Sequence, residues 1–200
     1  MPKKKIKEIF IGSNNKGKLK EIADLLPNHL KIYSNLDYKI PSPLETGTTF
    51  KQNSLLKAKY FSKKTDKICM SDDSGIEIDI LDKKPGVHSA DWAGKKRNFN
   101  LAINKVYKEI FKKDKNWKKK IITARFICVL TIFWPNGRFI SKIGKVEGRI
   151  SKLKKGKNGF GYDPIFIPKG RRLTFGELNP QKKYKIDHRY NAFKKIKKFF

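Results

Sequence analysis

Apolar positions along the chain follow two spacings. Ile6, Ile9, Phe10 and Ile11 form a short run closed by Gly12, which predicts a strand over 6–12. Leu19, Ile22, Ala23 and Leu26 then recur at helical spacing, predicting a helix over 16–26 that Pro27 ends. A short strand over 30–34 and a loop with Pro41 and Pro43 come next. Phe50, Leu55, Leu56, Ala58 and Phe61 mark a second helix over 50–63. Strands over 68–71 and 76–81 flank Asp72-Asp73-Ser74-Gly75, which reads as a tight turn. In the second of them Ile76, Ile78 and Ile80 alternate with Glu77 and Asp79, which places those two acids on the solvent face. Phe99, Ala102, Ile103, Val106 and Ile110 predict a third helix over 98–111. A long strand over 121–134 turns at Pro135-Asn136-Gly137 into another over 138–146, and a short strand over 165–167 precedes Pro168. A last helix begins near Asp187, an N-cap, and runs into four lysines that suit its C-terminal dipole. Its stripe of Tyr190, Phe193, Ile196 and Phe200 reads as core packing.

Early alternation of strands and helices favours a partly parallel sheet, and the later hairpin adds antiparallel strands. The fold class is therefore α/β, with a long central mixed β-sheet and flanking helices. The 200 residues suit one domain, 1–200, or two lobes sharing a core. A chain of this length buries roughly 70% of its extended surface and needs no disulfide or metal to fold. Cys69 and Cys128 sit in separate apolar runs without metal-ligand spacing, as buried free thiols of a reducing compartment. No apolar run follows the basic start, and none is long enough to span a bilayer, so a cytoplasmic location is expected.

Charge changes this picture most. The formal net charge is +30, from 48 Lys and Arg against 18 Asp and Glu. Such an excess invites a nucleic-acid-binding reading. Yet 41 of the 48 are lysines, spread along the whole chain, whereas bidentate base readout favours Arg. The charge is read as a solvated surface that also draws in phosphate-bearing substrates; a basic nucleic-acid-binding module is the competing class.

Three local patterns bear on chemistry. Ser13-Asn14-Asn15-Lys16-Gly17-Lys18 opens the first helix straight after the first strand. There a helix N-terminus and two lysines suit an anion, although the same residues also make an ordinary capped helix start. Asp72, Asp73, Glu77, Asp79 and Asp82 crowd together in a chain otherwise poor in acid. Hard oxygen ligands at Asp72-Asp73-Ser74 suit Mg²⁺, and a plain Asp/Ser/Gly turn is the plainer reading. Gly159-Phe160-Gly161-Tyr162-Asp163-Pro164 could bring backbone and rings against a flat ligand, or could pack on the core.

Taken in order, these pieces resemble the inosine triphosphate pyrophosphatase family. The matching residues are Ser13, Asn15 and Lys18; then Glu45-Thr46-Gly47, Thr49-Phe50, Asn53 and Lys57-Ala58; then Asp72-Asp73-Ser74-Gly75. They continue through Pro85-Gly86-Val87, Ser89-Ala90, Ala93-Gly94, the 159–166 stretch, Glu177-Leu178 and His188-Arg189. Departures are His88 where Tyr is frequent, Asp91 where Arg is usual, Asp187 for Ser, and Leu44 where an extra acid often precedes Glu45.

The resemblance implies hydrolysis of ITP, dITP and XTP to monophosphate and pyrophosphate, in a homodimer whose active site lies between two lobes. By the same resemblance Ser13, Asn14, Asn15, Lys16, Gly17 and Lys18 hold the triphosphate, and Asp73 is the catalytic acid and a metal ligand. Glu45 is the second metal carboxylate, Ser74 touches substrate, and Lys57 lies on the phosphate side or is merely a surface lysine. Phe160, Gly161, Tyr162 and Asp163 receive the base, with Lys183, His188 and Arg189 completing its pocket. Donors from Arg189 or a nearby backbone N–H would favour a 6-oxo group over the adenine amine. His188 could instead simply pack at the helix start. A related specificity for other nucleotides is the competing reading within the enzyme class.

Overall fold

The computed structural model describes residues 5–200; the basic start, residues 1–4, lies outside the described residues. The chain runs β1 (Glu8–Ile11), α1 (Lys16–Leu25), β2 (Lys31–Ser34), α2 (Asn35–Tyr38), α3 (Phe50–Thr65), β3 (Cys69–Ile78) and α4 (Phe99–Lys113). It continues through β4 (Thr123–Phe133), β5 (Phe139–Ile150), β6 (Phe166–Pro168), α5 (Pro180–Lys183) and α6 (His188–Phe193). The strands form one sheet in the order β2-β1-β3-β4-β5-β6. β1 pairs in parallel with β2 and β3, whereas β5 and β6 are antiparallel, so the sheet is mixed as expected.

The chain divides into two compact units. The first holds residues up to Asp73 with Cys128–Gly144 and Arg189–Phe200; the second holds Ser74–Ile127 and Lys145–His188. Each has its own apolar core. In the first, Ile9, Ile11, Leu19, Ile22 and Met70 pack with Cys128, Leu130, Ile132, Phe193 and Ile196. In the second, Ile76, Ile78, Ile103, Val106, Ile110 and Phe126 pack with Phe166 and Phe175. Both cysteines are buried and free, as expected. Among the described residues, no helix is long and apolar enough to cross a membrane.

Two expectations change. Asp72-Asp73-Ser74-Gly75 is not a turn between two strands; it lies inside the single ten-residue strand β3. Turn-prone residues are overridden there by the sheet, in which β3 lies between β1 and β4; just ahead of them Phe10 N–H donates to Ile68 O at 2.8 Å and Gly12 N–H to Met70 O at 2.8 Å. A side chain at Gly12 would press against Phe61 and Cys69, so only glycine lets the end of β1 come this close. The last helix is also shorter than expected. It ends at Phe193, and a 3₁₀ turn at Lys197–Phe199 follows. Lys194, Lys195, Lys197 and Lys198 fall at spacings where like charges repel on a helix. The chain instead tightens through Ile196 N–H to Phe193 O at 2.9 Å, and Ile196 and Phe200 are buried.

Candidate active site

The first unit gathers the expected phosphate-side residues. Asn15 caps α1, its Oδ1 accepting from Lys18 N–H at 3.1 Å, and Ser13 Oγ accepts from Asn15 N–H at 3.2 Å. The turn is thus a properly capped helix start. Asn14 is exposed and meets the Asn35 amide; Lys16 is exposed, and Gly17 and Lys18 are half-buried. Lys18 Nζ reaches Asp72 Oδ2 at 3.2 Å.

Asp72 and Asp73 are both buried, on adjacent residues of β3. Burial alone would raise the Asp72 carboxyl, but the cations Lys18, Arg189 and Lys57 overcome it and hold it well below the usual carboxylate range. Asp73 goes the other way. Burial pushes its carboxyl up to about 6; Lys57 and Lys18 pull it down, and the neighbouring Glu45 and Asp72 charges add to the rise. Asp73 Oδ1 accepts from Lys57 Nζ at 3.2 Å, while Oδ2 is buried with no hydrogen-bond partner.

Lys57 is no surface lysine. It is buried on α3, and its ammonium also meets Glu45 Oε1 at 2.8 Å, so it bridges the two acids of the expected metal pair. The loop carrying Glu45 is tied to that same helix. Gly47 N–H donates to Asn53 Oδ1 at 2.7 Å, and Thr49 with Gln52 forms a capping box.

Arg189 belongs to the first unit, and its guanidinium binds Asp72 Oδ2 at 3.3 Å and also the carboxylate of Glu21. Its planar fork thereby joins two buried acids. Glu21 went unread because it sits on the polar side of the α1 repeat, yet it is buried. The one sequence signal for it was a carboxylate one position before Ile22, which is too weak to act on.

The second unit holds the expected base-side residues. Asp163 and Lys183 are both buried, with Nζ 2.7 Å from Asp163 Oδ2. The same oxygen accepts from Phe160 N–H at 2.9 Å, which folds the loop around the carboxylate. Gly161 takes a positive φ of 68° here. The Tyr162 hydroxyl, buried, donates to Ser89 O at 2.8 Å, and its ring meets Phe99 edge-on. The buried His188 ring stacks on Phe126 with centroids 4.7 Å apart. Ser74, half-buried, opens this unit's share of β3. Ser89, which no motif had marked as more than a match, accepts from Ile76 N–H at 3.0 Å and donates to Gly86 O at 2.6 Å.

Of the acids assigned to solvent, Asp79 is exposed and Glu77 half-buried, and there they pair with Arg125 at 2.9 and 3.5 Å, beside Glu147 at 3.0 Å. Two departures from the family pattern meet each other: His88 Nδ1 lies 2.9 Å from Asp91 Oδ2 in an exposed pair.

The chain is similar to known proteins along nearly its whole length. The model of the Ham1 family matches residues 9–199. A dITP/XTP pyrophosphatase of Oceanobacillus iheyensis is 42% identical, covering 97% of this chain and 98% of that protein. One of Zymomonas mobilis is 38% identical over 94% of this chain and 89% of that protein. Among solved structures, a HAM1 protein from Coxiella burnetii is 35% identical, superposes with a TM-score of 0.84, and is covered to 96% on both sides.

Proposed function

We infer that this chain, which belongs to the Ham1 family, hydrolyses ITP, dITP and XTP to the monophosphate and pyrophosphate, with Mg²⁺ as its cofactor. The observation that carries the reading is the Glu45–Lys57–Asp73 arrangement in a chain whose relatives are named dITP/XTP pyrophosphatases.

The residues fit a hard dication. Two carboxylates converge on one cationic point, and Asp73 Oδ2 is a buried acceptor without a partner. Glu45 and Asp73 would hold the metal, which when bound would neutralise phosphate oxygens and polarise the phosphorus under attack. The chain's own groups do the rest. Asp73 takes the proton of the attacking water at its carboxylate. The N-terminus of α1, with Lys16 and Lys18, receives the phosphates, and Lys57 stabilises charge on the departing pyrophosphate. Asp72 orients Lys18 through their 3.2 Å contact.

On the second unit, Phe160 offers a ring for the base, and Asp163 fixes the loop through Phe160 N–H and Lys183. On this unit the donors for a 6-oxo group are Lys183 and loop backbone N–H groups. Donors aimed at an oxo group would reject the adenine amine steeply, by up to ~10⁴-fold. The cytoplasmic location and homodimer expected above accompany this reading.

The test is pyrophosphate release from ITP, dITP, XTP, ATP and GTP with and without Mg²⁺, beside Asp73→Asn. Mg²⁺-dependent turnover of the deaminated nucleotides, lost in the variant, is the expected result. A folded protein that turns over none of them would overturn the reading, and light scattering decides the dimer.

A further inference from the structure

The ammonium of Lys57 lies between the two carboxylates that would hold the metal. It lies 2.8 Å from Glu45 Oε1 and 3.2 Å from Asp73 Oδ1. The fold fixes this contact on both sides. The Lys57 side chain is 7% exposed on α3, and the Glu45 loop is fastened to that helix through Asn53 and Gln52. Lysine has three donors and no acceptor, so it cannot join a metal's ligands while charged. Mg²⁺ takes oxygens at roughly 2.0–2.1 Å, and an ammonium between the same oxygens would face a dication at a few ångströms.

Resting on the metal reading above, we propose that Lys57 is a built-in substitute cation that couples metal binding to nucleotide binding. Before the metal arrives, it holds Glu45 and Asp73 together against their mutual repulsion. To admit the metal it must release them, and the phosphate oxygens of the nucleotide are its replacement partners. Metal alone therefore binds weakly, and metal and triphosphate each strengthen the other, reciprocally. Without Lys57 the two carboxylates lose the cation they share, and a dication becomes their best available partner.

Mn²⁺ is the probe, followed by the electron paramagnetic resonance signal of the free ion and without nucleotide. The expected result is that Lys57→Met binds Mn²⁺ at least about tenfold more tightly than the wild-type protein. Lys57→Arg stays near wild type, and adding Glu45→Gln to Lys57→Met removes the gain. Equal or weaker binding by a Lys57→Met protein with an intact melting transition overturns the inference and leaves the metal reading standing. No binding by any of these proteins overturns both. Should Lys57→Met not fold, reductive methylation of the wild-type protein decides. Lys57 is protected without metal and becomes severalfold more reactive at saturating Mg²⁺; unchanged protection at saturation overturns the inference.

Discussion

Arg189 and Asp72 face each other as a buried ion pair, with Nε and Nη2 of the guanidinium each 3.3 Å from Asp72 Oδ2. Neither side chain is more than 2% exposed, and the same guanidinium also reaches Glu21. Removing one member of a buried ion pair is costly, and this cation serves two buried carboxylates at once, although Lys18 also reaches Asp72. Arg189→Met is expected to lower the unfolding free energy by about 3–5 kcal/mol, measured by urea denaturation. Arg189→Lys keeps the charge but loses the fork, and falls between. A loss under about 1 kcal/mol for the Met variant would show that the acids do not depend on this arginine.

Asp163 and Lys183 make the corresponding pair in the second unit, at 2.7 Å and both buried. Lys183→Met leaves the Asp163 charge buried against Phe160 N–H alone of the contacts named above, and about 3–5 kcal/mol of stability should go with it. Asp163→Asn combined with Lys183→Met removes both charges and should cost less than the sum of the single changes. The coupling, about 1–3 kcal/mol by a double-mutant cycle, is the measurement. Additive costs would mean that the two residues act independently.

How far these pairs could be read in advance differed by their separation along the chain. Glu45, Lys57, Asp73 and Asp163 fall on family motifs and Lys183 came with the base pocket that the resemblance implies, so the chemistry-bearing positions were legible as positions. What Lys57 does there was not, because its partners come from a loop 12 residues earlier and a strand 16 residues later. Glu21 and Arg189 are 168 residues apart, and no local periodicity announces that a polar helix position will be buried by a partner so distant. The α/β order followed from hydrophobic spacing, since the longer strands and helices carry their own repeats; the four-residue α2 and α5 carry none and went unread. β3 was misread as two strands because Asp, Ser and Gly favour turns locally. Pairing and the surrounding cations outvote that preference, and neither is visible within a short window of sequence.

Gly75, inside that strand, tests the packing directly. A methyl group there would run into the Ser89 hydroxyl and the Gly86 carbonyl, with Ser89 Cβ at 3.0 Å. The carbonyl is backbone, held by Ser89 N–H at 3.1 Å, and cannot swing aside as a side-chain tip would. Gly75→Ala should therefore cost about 1–3 kcal/mol, read as a lower urea midpoint at unchanged slope. Adding Ser89→Ala relieves only part of the clash and forfeits the hydrogen bond to Ile76 N–H, so it should not restore stability. Full recovery in the double variant would show that the hydroxyl, not the backbone, sets the limit.

Cys69 gives the pH dependence. Its thiol is fully buried, and that burial pushes it up to about 12 from the ordinary 9.0, against smaller opposing hydrogen bonds from Ser71 and Gly12. Above pH 9 the unfolded chain releases this proton while the folded one keeps it, so folding holds more protons and stability falls as pH rises through that window. Between about pH 8 and pH 10 the wild-type protein should lose about 1 kcal/mol more than Cys69→Ala does, whatever the alanine costs outright. Urea midpoints across that range supply the comparison. The same burial should leave Cys69 and Cys128 unreactive toward a thiol reagent in the native protein and both reactive in denaturant. Equal pH slopes for the two proteins, or rapid native labelling of Cys69, would mean that this thiol ionises as readily folded as unfolded.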